Sequence, residues 1–492
     1  MKSANSFMID VPHSALLCAI FGHAVSTPDK TALVVGTERV SYSRLQSLTC
    51  GAAAYLRSLG LKTGDCILLS AQKEVEFVYL YLAAHLLGVV NVVVDDASPR
   101  SRLEYIMGIV KPQVVFGNNI EIDACRCVSF NDIPLKEVTS IEVPSVLPTD
   151  VADVMFTTGT TGAPKGVCLS HDNISGSAAN TNAFIGIGAD DVEALALPLS
   201  HSFGLGRMRC VLSVGATLVL IGNFANLKSF FSVMENEKVT GFGMVPAVWQ
   251  YIKCISGNRI GKFSNQLRYI EIGSAPLPVE DKRLLMELFP KTRLCMHYGL
   301  TEASRALFTE FHNATDLDSV GVPSSAQVKV CVLDEEGRAV ADGTDGEICV
   351  RGNMVSCSYF LQEDNKNAYW GEWFRTGDWG HRDSNGYFYL TGRKKELINV
   401  GGEKVSPAII EEAILSLGIY DCACVAVSDP KGVLGEVPKA YLVKGSSALE
   451  IEDIKARLTA LLLPHEVPVE WEWVEQIPRT SSGKVQRLKL KS

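Results

Sequence analysis

The chain has 492 residues, too many for a single hydrophobic core, so about two to four domains or subdomains are expected. Its hydrophobic content of 47% and charged content of 21% are ordinary for a globular protein. The formal net charge is -9 and no basic tract interrupts the sequence, which argues against nucleic acid as a partner.

The fourteen cysteines are scattered singly through the chain. Only Cys125 with Cys127 and Cys422 with Cys424 stand close together, and neither pair has the two-residue gap of a zinc knuckle. This usage favours buried, reduced thiols in a reducing compartment, so we expect a cytoplasmic protein.

Two apolar stretches could be mistaken for membrane signals. Residues 15–21 are apolar, but the approach to them carries Asp10 and His13, which favours an amphipathic first helix over a signal peptide. Residues 77–94 form the longest apolar run, broken by His85 and Gly88. That run predicts a buried helix followed by a buried strand, with a membrane span as the weaker alternative.

The first third of the chain alternates helical patterns with runs rich in β-branched residues. A helix is predicted at residues 42–59, with Ser41 as its N-cap. Strands are predicted at residues 31–35, 66–69, 89–94 and 113–116. This alternation indicates an α/β fold with largely parallel sheets.

Residues 157–166 form a loop rich in glycine and threonine between two apolar runs. Gly159 and Gly162 allow a tight turn that brings backbone N–H groups close to a ligand, and Lys165 adds a positive charge. The loop also carries four hydroxyl donors, Thr157, Thr158, Thr160 and Thr161. It predicts a polyphosphate site, although Pro164 and Gly166 exclude a Walker A loop. The alternative is a surface turn.

After this loop, strand–loop–helix units place small or polar residues at strand ends. A strand from residue 195 ends in a turn that carries His201, and the strand at 269–272 stops at the loop 273–278. A further strand at 294–297 is followed by the segment 298–302. In open α/β sheets, ligands bind at this edge.

From about residue 320 the chain becomes rich in short strands separated by Asp/Gly turns, which predicts a small β-barrel or antiparallel sheet. A charged break at 392–396 separates it from a compact α+β tail of ordinary domain size. The fold class is therefore α/β, with two α/β sheet subdomains and a small β unit in a large N-terminal domain, followed by a small C-terminal domain.

Several motifs occur in a fixed order, at residues 157–166, 273–278, 298–302, 374–378, 392–393 and 478–484. In this order they resemble the adenylate-forming superfamily of acyl-CoA and aryl-CoA synthetases, peptide-synthetase adenylation domains and luciferases. The chain is most similar to stand-alone bacterial ligases that activate acyl or aryl acids. The joint chance occurrence of these motifs is negligible beside that of any single one.

The resemblance implies a domain plan. Residues 1–392 would form the adenylation core that binds the acid and ATP, and residues 393–396 would form a hinge with Lys395 at its pivot. Residues 397–492 would form a mobile lid domain that swings after adenylation and opens a path for the thiol.

The resemblance also implies roles for individual residues. Lys484 would bridge the α-phosphate and the attacking carboxylate, Thr301 would contact the α-phosphate, and Glu302 would help to hold Mg²⁺. Asp378 would accept both ribose hydroxyls, and Arg393 would reach the ribose or phosphate. The implied ATP-binding set is completed by Thr157, Thr158, Gly159, Thr160, Thr161, Gly162, Lys165, Ser274, Ala275, Pro276, His297, Tyr298 and Gly299. Tyr298 would stack on adenine.

The acid-binding side resembles that of ligases for acids without an amine. The segment 201–206 carries no carboxylate, which disfavours α-amino acids and leaves fatty or aryl acids. By resemblance, His201 would gate the entry of the acid and would have a catalytic part; the alternative is a loop histidine whose ring is satisfied by hydrogen bonds. The acyl pocket would be bordered by His201, Ser202, Phe203, Gly204 and Gly273.

Arg207 and Arg209 stand unusually close to this pocket. They could read a second carboxylate on the substrate, but salt bridges at a helix surface are favoured because charged residues are mostly exposed.

The predicted reaction is ATP-dependent activation of a carboxylic acid to acyl-AMP, followed by transfer to the thiol of CoA with release of AMP and pyrophosphate. The cofactors would be ATP, Mg²⁺ and CoA. One alternative acceptor is the phosphopantetheine of a separate acyl carrier protein. A second alternative is a catalytically silent nucleotide-binding homologue.

Overall fold

The computed structural model describes residues 9–118, 120, 122, 125–157, 164–401, 403–445, 449–479 and 485–490. Within them the chain forms two large α/β sheets, a smaller antiparallel sheet and a separate C-terminal unit. The predicted mixed α/β architecture, with a large N-terminal domain and a small C-terminal one, is confirmed.

The first sheet has seven strands and carries the glycine- and threonine-rich loop. Its strands lie in the order Ser358–Tyr359, Gly166–Ser170, Val151–Phe156, Val90–Val94, Cys66–Ser70, Val114–Phe116 and Arg126–Val128. Val151–Phe156 and Gly166–Ser170 pair antiparallel, while Val90–Val94 and Cys66–Ser70 pair parallel. The loop predicted between two apolar runs therefore connects two strands that pair with each other, a pairing that the sequence did not predict.

The second sheet has nine strands. They lie in the order Val322–Pro323, Leu307–Glu310, Arg293–Tyr298, Tyr269–Ile272, Gly241–Met244, Val192–Leu195, Thr217–Leu220, Thr31–Val35 and Glu38–Ser41. The central strands are parallel, so the ends of Tyr269–Ile272 and Arg293–Tyr298 meet at one edge. This parallel pairing brings the loop 273–278 beside the segment 298–302.

Nine α-helices cover these two sheets in the described part of the large domain. They are Ala15–Ser26, Tyr42–Ser58, Val75–Leu87, Arg100–Val110, His171–Ile185, Ser202–Ser213, Leu227–Asn236, Pro246–Ser256 and Val279–Leu288. Short 3₁₀ helices occur at Phe130–Asp132, Gly257–Phe263, Phe311–Asn313, Gln362–Asn365 and Arg487–Leu490. Among the described residues, no helix is long and apolar enough to cross a membrane.

Local sequence signals account for several helix starts. The Ser41 hydroxyl accepts a hydrogen bond from the Arg44 N–H at 3.3 Å, as predicted for an N-cap. Ser170 and Asn173 form a reciprocal capping box at the start of His171–Ile185. Helix Val75–Leu87 is buried along almost its whole length, which explains why its sequence is apolar on all faces.

The smaller sheet is antiparallel and has five strands. Its members are Lys329–Leu333, Gly346–Arg351, Tyr369–Trp370, Trp373–Arg382 and Phe388–Arg393. The charged break begins later than expected, because Gly392 and Arg393 still pair with Trp379 and Asp378 in the last strand.

The C-terminal unit has its own apolar core, separate from that of the large domain. Its strands are Ile398–Val400, Glu403–Val405, Asp421–Ser428, Glu436–Val443 and Glu470–Val474, and its helices are Pro407–Ser416 and Ile451–Leu458. The α+β character expected of the tail is therefore observed, while the domain boundaries and its mobility stay predictions.

One predicted element differs from the structure. The strand expected from residue 195 into the His201 turn is Val192–Leu195, and His201 is the N-cap of helix Ser202–Ser213. Pro198 lacks the N–H that a ladder hydrogen bond needs, so the apolar run continues without strand pairing.

Candidate active site

Asp378 is the centre of one cluster of predicted site residues. It lies in strand Trp373–Arg382 with only 5% of its surface exposed. The Tyr298 hydroxyl donates to Asp378 Oδ2 at 2.6 Å, and Arg393 Nε lies 2.6 Å from Oδ1. Asp378 and Arg393 are direct partners across two paired strands, so sheet register alone brings them together. Burial, followed by the nearby Asp378 carboxylate, raises the pKa of Tyr298 well above its usual range, so the phenol stays a proton donor.

A second cluster forms around Glu302. The Tyr359 hydroxyl donates to Glu302 Oε1 at 2.7 Å. The Lys165 ammonium lies 5.2 Å from the centre of the Tyr359 ring and 2.9 Å from Asp364 Oδ1. Tyr359 thus connects the predicted metal ligand with the lysine of the predicted phosphate loop. A half-buried carboxylate oxygen of this kind fits Mg²⁺, which prefers oxygen ligands.

The base of the predicted phosphate loop is closed by a hydrogen bond from the Thr157 N–H to the Lys165 carbonyl at 3.0 Å. Thr158, Gly159, Thr160, Thr161 and Gly162 lie outside the described residues. Their contacts with phosphate therefore stay predictions.

The loop after strand Tyr269–Ile272 shows two features of a closely fitted site. Ser274 has φ of 75°, a left-handed conformation that costs a non-glycine residue free energy and often occurs at functional positions. A Cβ added to Gly273 would lie 2.1 Å from the His297 ring, so only glycine fits there. Ala275 and Pro276 follow in the same loop, where Ala275 is half-buried and Pro276 exposed.

His297 connects the nucleotide side with the predicted acid pocket. Its ring meets the Phe203 ring edge-on at 4.6 Å between centres, and its Nδ1 lies 2.7 Å from Glu271 Oε1. Burial lowers the pKa of His297, with the Glu271 carboxylate acting in the opposite direction. Together with Gly273, these contacts bring three residues of the predicted set, Phe203, Gly273 and His297, into one place.

Helix Ser202–Ser213 carries the remaining predicted pocket residues at its start. His201 is its exposed N-cap, and Ser202 is its first residue. A Cβ at Gly204 would lie 2.1 Å from the Pro198 carbonyl, so this close approach requires glycine. In the following segment, Thr301 is half-buried, and a Cβ at Gly299 would lie 2.4 Å from the Arg305 nitrogen.

A buried charge network beside the predicted acid pocket was not predicted in this form. Arg207 donates from Nε to Glu193 Oε1 and from Nη1 to Glu271 Oε2, each at 2.8 Å. Arg305 Nε donates to Glu271 Oε1 at 2.7 Å, and its Nη2 donates to the Phe203 carbonyl at 3.0 Å. Burial acts to raise the pKa of Glu271, but Arg305 and Arg207 outweigh it, and the pKa lies well below its usual range.

Arg209 belongs to a second buried network. Its Nε donates to the Tyr81 hydroxyl at 2.7 Å, and its guanidinium is paired with Asp153. His85 Nε2 lies 2.8 Å from the other Asp153 oxygen. The prediction of salt bridges for Arg207 and Arg209 is confirmed, but their expected surface position is wrong, since both side chains are almost fully buried. A single acidic residue inside an apolar strand, such as Asp153, is the feature of the sequence that could have indicated a buried partner for an arginine.

Lys73 holds the turn that leads to His201. Its ammonium donates to the carbonyl oxygens of Ala196, Ile221 and Gly222, each at 2.6 Å. These carbonyls follow two strands of the second sheet, whereas Lys73 follows a strand of the first. The lysine therefore joins the two sheet subdomains beside the predicted acid entrance, a role that a lone lysine in the sequence did not reveal.

Lys484 lies outside the described residues, so its role stays a prediction. Its neighbours in the chain are placed: Val485 pairs with Arg479 in an antiparallel bridge. Lys395 is exposed at the predicted pivot.

Two relatives of known activity match this chain along almost its whole length. The chain is 29% identical over 482 residues to a 2-succinylbenzoate–CoA ligase of Bacillus licheniformis, covering 94% of this chain and 97% of that one. It is 29% identical over 520 residues to 4-coumarate–CoA ligase CCL1 of Humulus lupulus, covering 98% and 94%.

Solved structures agree with the fold. ATP-bound MatB from Rhodopseudomonas palustris has a TM-score of 0.88 and 25% identity, covering 97% of this chain and 98% of that one. O-succinylbenzoate coenzyme A synthetase from Bacillus subtilis, in complex with ATP and magnesium ion, has a TM-score of 0.86 and 26% identity, covering 96% and 99%.

These comparisons confirm the predicted class of enzyme, an AMP-forming acid–thiol ligase that uses ATP, Mg²⁺ and CoA. The family model for AMP-binding enzymes matches residues 20–360, and that for their C-terminal domain matches residues 410–484. The chain therefore belongs to the family of AMP-binding enzymes.

Proposed function

We propose that this chain activates a carboxylic acid, preferably an aryl acid, and transfers it to CoA. One observation carries the assignment of the site. The short segment 298–302 joins both clusters, because Tyr298 donates to Asp378 at one end and Glu302 accepts from Tyr359 at the other. A nucleotide whose ribose lies at Asp378 would then extend its phosphates toward Glu302 and Lys165.

The residue types suit adenylation. The carboxylate of the acid is already ionised at neutral pH and attacks the α-phosphorus, and pyrophosphate leaves. Charge builds up on phosphoryl oxygens, so cations and oriented donors lower the barrier more than a base would. We assign this work to Lys165, Thr301 and Lys484, with Mg²⁺ held by Glu302 to neutralise phosphate charge.

The buried charge networks bear on the class of acid that the predicted pocket accepts. Arg207 and Arg209 are both matched by buried carboxylates, so neither offers an unmatched positive charge to a second carboxylate of a substrate. Phe203 and the His297 ring instead present an aromatic wall. The two ligases of known activity are named for aromatic acids, which supports an aryl substrate.

The second half-reaction would use the C-terminal unit as a lid. We propose that residues 397–492 turn about Lys395 after adenylation and admit the thiol. All fourteen cysteines are free, which supports a reducing compartment such as the cytoplasm.

A pyrophosphate-release screen tests this proposal. Aryl, fatty and dicarboxylic acids are supplied with ATP and Mg²⁺, alone, with CoA, or with a holo carrier protein. We expect aryl acids to give the highest kcat/KM and CoA to sustain turnover. Turnover with the carrier protein but not with CoA would support the carrier-loading alternative. Complete absence of acid-dependent pyrophosphate exchange would identify a silent homologue.

A further inference from the structure

Arg487 connects three parts of the C-terminal unit. Its Nε donates to Glu396 Oε2 at 2.9 Å, and its Nη2 donates to Glu411 Oε2 at 3.1 Å. A third contact runs from Nη1 to the Cys424 carbonyl at 3.2 Å. The arginine, Glu396 and Glu411 side chains are 15%, 25% and 14% exposed, so solvent screens these pairs only partly.

The position of Arg487 in the chain relates these contacts to the proposed movement of the lid. It follows Lys484 by three positions, so it is part of the segment that would deliver the reactive ammonium. Glu396, its partner, lies directly after Lys395, the proposed pivot. A single guanidinium thus connects the segment after the proposed reactive lysine with Glu396, the last residue of the proposed hinge.

The other side of the pivot is anchored to the large domain. The Lys394 N–H donates to the Gly377 carbonyl at 2.8 Å. The Lys394 ammonium lies 3.2 Å from Glu347 Oε2 and 5.3 Å from the centre of the Trp379 ring. Lys395 is exposed and lies between these two anchors.

Two backbone hydrogen bonds close a turn across the pivot. The N–H groups of Glu396 and Leu397 both donate to the Arg393 carbonyl, at 2.9 Å and 3.0 Å. A large rotation at Lys395 would separate these groups, whereas neither side-chain anchor crosses the pivot. The backbone turn is therefore the element that a rotation opens, while the anchors travel with their own domains.

We propose that Arg487 is a positioning residue that holds the hinge residue Glu396 rigidly to the lid. Rotation is then confined to Lys395, and the Lys484 segment keeps a fixed place relative to the pivot. A guanidinium suits this task because its fork can bind two carboxylates along separate edges, which a lysine ammonium does less well. This inference rests on the proposed function of the lid.

The test compares Arg487→Met and Arg487→Lys with the wild type. The control is Lys439→Met, which removes another partly buried cation of the same unit, paired with Glu472 at 2.9 Å. Pyrophosphate exchange reports adenylation, and transfer from supplied acyl-AMP to CoA reports the second step. We expect Arg487→Met to slow exchange about tenfold, Arg487→Lys to restore part of it, and acyl transfer to change less. The control should leave both rates near those of the wild type.

Hydrogen exchange gives a readout that does not depend on activity. In Arg487→Met the amides of Glu396 and Leu397 should exchange faster than in the wild type, while those of strand Phe388–Arg393 stay protected. Glu396→Gln should act similarly, and combining it with Arg487→Met should add little, because both remove the same contact. Unchanged exchange at Glu396 and Leu397 would overturn the inference even if the wild type proved to activate no acid. If the wild type activated no acid but the variants showed the expected hydrogen-exchange pattern, only the proposed function would be contradicted.

Discussion

The acid side and the nucleotide side of the site use the same residue types in opposite surroundings. Beside the predicted acid pocket, Arg207 and Glu271 form an ion pair in which both side chains are 0% exposed. On the nucleotide side, Arg393 is 42% exposed where it pairs with Asp378, and Lys165 is 46% exposed where it pairs with Asp364. Both regions contain matched ion pairs, and they differ chiefly in access to water.

That difference in access to water distinguishes ion pairs that stabilise the fold from ion pairs that a ligand could replace. A buried ion pair cannot lose one partner without leaving a charge in a poorly solvated place, which is strongly unfavourable. A half-exposed pair contributes little to stability and can exchange its partner for a ligand at small cost. Arg207 and Arg209 are therefore structural here, whereas Arg393 and Lys165 keep enough access to water to be candidates for contact with ATP.

Removing the central buried carboxylate should have the largest effect. Glu271→Ala leaves Arg207 and Arg305 without their shared partner, and we expect a loss of about 3–5 kcal/mol in the free energy of unfolding. Thermal unfolding followed by circular dichroism measures it. The matched change on the nucleotide side, Asp364→Ala, should alter stability by at most about 1 kcal/mol. Similar shifts for both variants would show that burial does not distinguish the two regions.

The lid lysine should matter for rate and not for stability. Lys484→Ala should slow adenylation by about 100-fold, or about 3 kcal/mol, because one transition-state contact is lost. Single-turnover pyrophosphate release measures this step. Transfer from supplied acyl-AMP to CoA serves as the internal control and should be nearly unchanged. Equal damage to both steps would argue against a lid that leaves after adenylation.

Acid should destabilise the fold through a buried histidine that packs beside the Asp153 network. Burial, followed by His85 and His13, lowers the pKa of His171 to about 3. The unfolded chain therefore takes up a proton below about pH 6.5 that the folded chain does not, and stability falls as pH falls. At pH 5 this difference in proton uptake should have lowered the free energy of unfolding by about 2 kcal/mol.

The comparison variant for this prediction is His171→Asn, which removes the titrating group at the point where its ring packs on His13 and His85. Its unfolding midpoint should fall less steeply than that of the wild type between pH 7.5 and pH 5, pH values chosen on either side of the ordinary histidine pKa of about 6.5. The same slope in both proteins would assign the acid sensitivity to other groups.

The smallest effect should come from the nucleotide side. Asp378→Asn keeps the shape of the side chain but removes its charge, and we expect KM for ATP to rise about tenfold, or about 1.4 kcal/mol, with kcat little changed. Initial rates at varied ATP measure this. A fall in kcat at constant KM would mean that Asp378 acts in the chemical step instead of in binding.

Much of the fold could be predicted because local rules decided it. The strands Thr31–Val35 and Tyr269–Ile272 occur at the predicted residues, and the helix predicted at 42–59 is Tyr42–Ser58, since apolar periodicity and flanking turns marked them. The nucleotide cluster was also predictable in part. Asp378, Tyr298 and Arg393 lie in motifs whose order identified the family, and the structure brings the three side chains together.

The sequence by itself determined the class of enzyme. The chemistry of binding and cleaving ATP requires glycines where the backbone approaches the ligand, a carboxylate, and cationic side chains, and the motifs supply these in a fixed order. Only the tertiary structure decided which charges are available. Arg207, Arg209 and Lys73 acquired their partners from strands and helices distant in the chain. Spacing along a chain does not reveal such partners, since burial and pairing arise only when the sheets pack against their helices.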